Sequence, residues 1–175
     1  MVLSRGGNMA LPATQGLRAT DDEARTMARA IMARSRHAAL ATLVPGASGV
    51  PAQPMVTRVA IAPGAAGLPL MLLSSLSMHS KALRADPALS LLLGDVVARG
   101  DPLTQPRLTL QGRARFLDPT GFERAALRAR WLAHQPKALV YVDLPDFSFV
   151  TLDLDQGFLN GGFGRAYQLD PADLI

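Results

Sequence analysis

"LPLMLLSSLSMHSKALRADPALSLLL", residues 68–93, decides the architecture. Residues 68–74 are apolar at consecutive positions, so a strand there is expected to be buried on both faces. Residues 88–96, "ALSLLLGDV", read as another strand. The segment between has helical composition and must stop before Asp86 and Pro87, because proline disfavours helical geometry in the residue preceding it. Four serines, one histidine and one of the chain's two lysines crowd into residues 74–81, at the junction of strand and helix.

Strands lie on either side of this unit. "HAALATLV" (37–44) and "QPMVTRVAI" (53–61) are separated by the turn-rich "PGASGVP". In the second of these, Met55, Thr57, Val59 and Ile61 share one face, and Pro54, Val56, Arg58 and Ala60 share the other. "RLTLQGRARFL" (107–117) alternates most regularly. Arg107, Thr109, Gln111, Arg113 and Arg115 oppose Leu108, Leu110, Gly112, Ala114 and Phe116. Residues 147–154 and 157–169 complete the sheet. Helices are expected over 20–35, with Thr20 and Glu23 forming a capping box, and over 118–134. Strands follow strands with few helices between, unlike the βαβα rhythm of a parallel sheet. The expected class is mainly β with flanking helices, an antiparallel sheet or small barrel. Residues 1–19 read as a flexible arm and 20–175 as a single domain.

Composition narrows the function. The chain has 175 residues, 49% of them hydrophobic, and no apolar run approaches membrane-span length. The N-terminus lacks a signal-like apolar core, so a cytoplasmic location is expected, with no membrane partner. The absence of cysteine excludes disulfides, thiolate catalysis and cysteine-ligated metals. A formal charge of +4 comes from scattered arginines without a basic block, and aromatics are only 5%, so no nucleic-acid partner is expected. Three distant histidines, His37, His79 and His134, form no metal motif.

At the junction, a helix N-terminus offers free amides that favour a phosphate. Ser77 is placed to cap the helix; Ser80 and Lys81 sit in its first turn, where a hydroxyl and an ammonium reach one anion. Ser74 and Ser75 close the preceding strand, within reach of a planar ring's edge. Ordinary capping is the commoner use of such serines. Arg58, beside Val59 in mid-strand, needs the barrel rim or an anion, because an isolated buried charge is costly.

Together, "TRVAI", "LLSSLSMHSKALRADPALSLLL" and "PRLTLQGRARFL" resemble the pyridoxamine-phosphate-oxidase-like flavoproteins with an FMN-binding split β-barrel, over about residues 22–118. The late "DFSF" (146–149) and "GGFGRA" (161–166) are similar to the branch related to haem-utilisation proteins. The resemblance implies FMN as cofactor, with haem or a deazaflavin as alternatives, held at the interface of a homodimer. It assigns Arg58, Ser80 and Lys81 to the phosphate, and Ser74 and Ser75 to the isoalloxazine edge. Arg107 falls where the oxidase has a flavin-contacting glutamine. The oxidase's C-terminal Arg/His motif is not recognisable, so its substrate is not inherited. The chain ends at Ile175 without the haem-contacting C-terminal domain of the other branch, so haem degradation is not expected either.

Two features keep two readings. His79 is either a donor to the cofactor or a surface histidine. "NGGFGRA" (160–166) is either a glycine-rich hairpin turn or a loop that brings Phe163 and Arg165 to the ligand or a second subunit. Trp131 is expected to pack. No residue stands out as a general acid or base. The expected function is an FMN-dependent oxidoreductase; the alternative is a non-catalytic carrier of FMN or haem.

Overall fold

The structure, a computed structural model, describes residues 16–97 and 100–175. The expected arm therefore lies largely outside the described residues. Among its described residues, Arg18 N donates to Ala166 O at 2.9 Å.

The chain runs α1 (Asp22–Arg34), β1 (His37–Val44), β2 (Gln53–Pro63), β3 (Pro69–Ser74), α2 (Met78–Ala85), β4 (Ala88–Leu93), β5 (Arg107–Phe116), α3 (Gly121–His134), β6 (Phe147–Asn160), β7 (Ala166–Leu169) and α4 (Pro171–Leu174). All seven strands pair antiparallel in the order β3-β2-β1-β4-β5-β6-β7, and β3 also pairs with β6. That last pairing closes six strands into a barrel, and β7 extends one edge of β6. The expected class, mainly β with flanking helices, is the observed one. Among the described residues no helix is long and apolar enough to cross a membrane.

The double-sided apolar run explains the closure. Met71 and Leu73 point into the barrel core with Ile61, Leu40, Leu91, Leu108 and Val150. Leu70 and Leu72 face the opposite way, into a second core built by Trp131, Val142, Phe149 and Ala62. Trp131 is fully buried and meets Phe149 edge to face, centroids 6.3 Å apart. A strand apolar on both faces is stable only when both are covered, and α3 with the 3-10 turn at Pro136–Val140 covers the second. On the other side α1 buries Ala24, Ala28 and Ile31 on the barrel core.

Four expectations need correction. The cap of α1 is Asp21, whose carboxylate accepts from Ala24 N at 2.8 Å; Thr20 instead donates to Gln168 O at 2.7 Å. Strand β4 stops at Leu93, not Val96, because Gly94 turns the chain at φ 122°. Residues 147–160 form one continuous strand rather than two. A register shift opposite Gln111 and Gly112 absorbs one extra residue of β6, Asp155, as a bulge, so pairing with β5 continues where the sequence suggested a break. Finally, residues 161–165 are a hairpin turn, not strand, with Gly162 and Gly164 at positive φ.

Gly112 marks that bulge, and any Cβ there would sit 2.1 Å from Asp153 O. Gly112→Ala is expected to destabilise the barrel by about 1–3 kcal/mol, the usual cost of overpacking. Thermal unfolding checks this; a melting temperature equal to that of the wild type would show that β6 yields freely.

Candidate functional site

The serines at the junction first build the turn. Ser74 Oγ donates to Asp146 Oδ2 at 2.5 Å and accepts from Leu76 N at 3.2 Å. Ser77 N and Oγ both donate to Ser74 O, at 3.1 and 2.7 Å. Ser77 Oγ also accepts from Ser80 N, the N-cap bond expected for α2, and lies 2.9 Å from Ser80 Oγ. Ser75 N donates to Asp146 O at 2.7 Å. Asp146, just before β6, thus holds the β3–α2 junction from 72 residues away.

This turn forms one wall of a cavity of about 230 Å³. Arg58, Val59 and Ala60 line it from β2, and Leu72, Leu73 and Ser74 from β3. Ser77 and His79 come from the start of α2. Tyr141 and Phe147, either side of the loop that leads into β6, complete it. Their rings pack at 5.0 Å with a 31° tilt, an aromatic wall beside the aliphatic strand residues. Arg58 is exposed, and among the described residues its guanidinium has no ion pair. His79 is half-buried, its Nδ1 3.2 Å from Thr57 Oγ1. Burial holds its pKa below the ordinary imidazole value. The cavity therefore offers one free cation, one neutral imidazole and apolar to aromatic walls.

Of the residues singled out from sequence, Arg58, Val59, Ser74 and His79 meet here. Ser80 is fully buried with its hydroxyl turned onto Ser77, and Lys81 is exposed on α2; neither lines the cavity. Ser75 is half-buried at the turn. Arg107 lines a separate cavity of about 190 Å³ with Thr109, Phe158, Asn160 and Tyr167, and its Nη1 donates to Leu103 O at 2.9 Å. Phe163 projects from the hairpin turn almost wholly exposed. Arg165 reaches Glu23 on α1 at 2.6 Å, and its pKa is raised by Tyr167 first and then Glu23. In this chain that arginine ties the hairpin to the helix.

Tyr141 and Asp146 escaped the sequence reading. "DFSF" had marked the region of Asp146 and Phe147, but nothing local linked it to a serine turn 70 residues earlier.

A family model for the CREG beta-barrel matches residues 19–174. The chain belongs to this family. It is 40% identical over 102 residues to "Non-canonical heme oxygenase HOZ, chloroplastic" of Arabidopsis thaliana; the match covers 57% of this chain and 29% of that protein. A solved heme binding protein from Mycobacterium smegmatis is 31% identical with a TM-score of 0.74, over 90% of this chain and 60% of that one. This CREG-type barrel thus spans only part of both relatives. A protein of the pyridoxinephosphate oxidase family from Clostridium acetobutylicum, related to general stress protein 26, shares the fold at 14% identity. Its TM-score is 0.65, over 89% of this chain and all of that one.

The depressed pKa of His79 has a consequence for the protein without ligand. As pH falls, the unfolded chain takes up this proton before the folded one does. Stability from this group is therefore complete above about pH 6.5 and declines as pH drops through the gap between the two pKa values. His79→Gln should lose part of the stability difference between about pH 7.5 and about pH 5.5. Parallel pH dependence of melting in both proteins would show that the imidazole titrates alike in the folded and unfolded chain.

Proposed function

We propose that this chain is a haem-binding protein whose ligand sits in the Arg58–His79 cavity at the interface of a homodimer. One observation carries the reading. An unpaired guanidinium stands at the edge of a cavity walled by Val59, Leu72, Leu73, Tyr141 and Phe147. An apolar macrocycle with carboxylate arms has that division of character. Arg58 would hold a carboxylate through charge-assisted bonds, and the aromatic pair would cover ring surface. When bound, the iron macrocycle supplies the redox chemistry; the chain supplies binding, orientation and exclusion of water. The haem-binding and haem-oxygenase relatives support the choice of ligand.

The cavity is smaller than the roughly 300–1,000 Å³ of most cofactor pockets, so a second wall is needed. Strand register supplies a candidate. Arg58, Ala39, Leu92, Thr109 and Phe158 are successive partners across β2, β1, β4, β5 and β6, so they share one row of the outer face. Val56, Ala41, Ser90, Gln111 and Gln156 form the next row. These rows are uncharged between Arg58 and the far edge, and Val56 and Leu92 are exposed. A two-fold axis through their middle would set the Arg58 cavity of one subunit against the partner subunit's Arg107 and Phe158.

The FMN reading keeps one observation in its favour. The start of α2 lines the same cavity as Arg58 through Ser77 and His79, and a helix N-terminus suits a phosphomonoester. An as-isolated spectrum separates the two, because flavin and haem absorb in different visible bands.

Titration with ferric haem should produce a saturable Soret change, and Arg58→Ala should weaken binding about ten-fold or more, the loss of a charged hydrogen bond. A yellow protein indifferent to haem would instead favour FMN. Ala41→Arg, at the centre of the shared face, should sediment as a monomer and lose haem affinity. A haem-loaded monomeric wild type would rule out the shared site.

A further inference from the structure

We infer that His79 is the iron ligand of the bound haem, acting through Nε2, and that Thr57 is the positioning residue that holds its ring in place through Nδ1. The inference rests on the haem reading above and adds to it which atom of the chain meets the metal.

The position of His79 is unusually well determined for a residue at a helix start. The residue two places before it, Ser77, is the N-cap of α2, and Ser80, next after it, is buried against that cap. One turn on, Ala82 and Leu83 are buried and anchor the helix. The ring therefore leaves a fixed backbone and enters the cavity wall. There its Nδ1 faces Thr57 Oγ1 on β2 at 3.2 Å. The threonine hydroxyl can donate or accept; when it accepts from Nδ1–H, Nε2 keeps its lone pair free, the usual arrangement of a metal-bound imidazole. Among the described residues Nε2 of His79 has no hydrogen-bond partner.

The competing donors are weaker. Ser74 and Ser77 spend their hydroxyls on the turn. Among the described residues there is no cluster of three or more His, Asp or Glu that could hold a metal ion by itself, so iron would have to arrive within the macrocycle. His37 lies near Asp95, and His134 ends α3 with its Nδ1 near Arg130 O. Neither lines the cavity. Tyr141 does, and a tyrosine is the one other side chain there with precedent as a haem ligand. Its ring is packed on Phe147, and the Tyr141→Phe variant below tests whether its phenol competes.

Wild type, His79→Ala, Tyr141→Phe and Thr57→Val are each titrated with ferric haem, and the coordination state is read by Soret position and electron paramagnetic resonance. In the wild type, the reduced complex should show an iron–histidine stretch by resonance Raman. His79→Ala should still bind haem through Arg58 and the apolar walls, about 10–100-fold more weakly, with a changed ligand signature. Added imidazole should restore the wild-type spectrum, which a merely structural loss would not allow. Thr57→Val should keep the ligand but shift the iron–histidine stretch, because that frequency reports what Nδ1 donates to. Tyr141→Phe should leave the signature unchanged. Haem-bound wild type and His79→Ala with superimposable spectra would overturn the inference while leaving the binding reading intact. A spectral change only in Tyr141→Phe would overturn it in favour of the phenol. No haem binding by wild type would remove both.

Discussion

A strand apolar on both faces has nowhere stable to go except between two cores, and β3 is that strand. Its Met71 and Leu73 need the barrel interior; its Leu70 and Leu72 need a cover outside it. Satisfying both requires hydrogen-bonded neighbours on each edge, and β2 and β6 provide them. Barrel closure and the packing of α3 are thus two consequences of one hydrophobic constraint. The site follows from it as well. Where β3 leaves the double core at Ser74, its backbone must be satisfied by something other than a sheet. The serine turn and Asp146 do this, and the cavity opens beside them.

Much of this architecture is legible in the residues. The alternation of 107–117, the uninterrupted apolar run of 68–74 and the proline at position 87 each report a local rule: two-residue periodicity, double burial, a forced helix end. These elements appear where the rules put them. The misread elements depend on distant partners. Residues 155 and 156 look like a break because Asp155 and Gln156 are poor strand formers. Only the pairing with β5, which passes over Asp155 between Gln111 and Gly112, shows that the strand continues. Thr20 and Asp21 are both good caps by type. The choice goes to Asp21 because Gln168, far along the chain, claims the threonine hydroxyl.

The site was legible in the same uneven way. Hydroxyl density at 74–80 signals a demanding turn, but residue type does not say whether a hydroxyl serves the backbone or a ligand. Here most are committed to the chain itself: Ser74 to Asp146, Ser77 to the helix cap, Ser80 to Ser77. Arg58 carried the better signal, because a guanidinium in mid-strand has few internal uses and this one has no partner ion among the described residues. Tyr141 gave none. It reaches the cavity through a loop whose path is fixed by Trp131, Ala138 and Val142 in the second core.

Flavin and haem pose this barrel a similar problem: a flat ring with one anionic arm or more. Rows of uncharged side chains across the outer face, an arginine at their end with no ion pair among the described residues and an aromatic wall beside it suit either ring. What distinguishes them is the group at the ring's reactive centre. A flavin asks for hydrogen-bond donors along its polar edge, and of the two serines nearest to that role the hydroxyl of Ser74 is spent on Asp146. A metal centre asks for a lone pair held at a fixed angle. On the proposed haem reading, His79, with Nδ1 at 3.2 Å from Thr57 Oγ1 and Nε2 without a hydrogen-bond partner among the described residues, is a cavity residue placed to offer one. On the same proposed reading, the commitment of the Ser74, Ser77 and Ser80 hydroxyls to Asp146 and to the turn itself is what favours the macrocycle over a flavin.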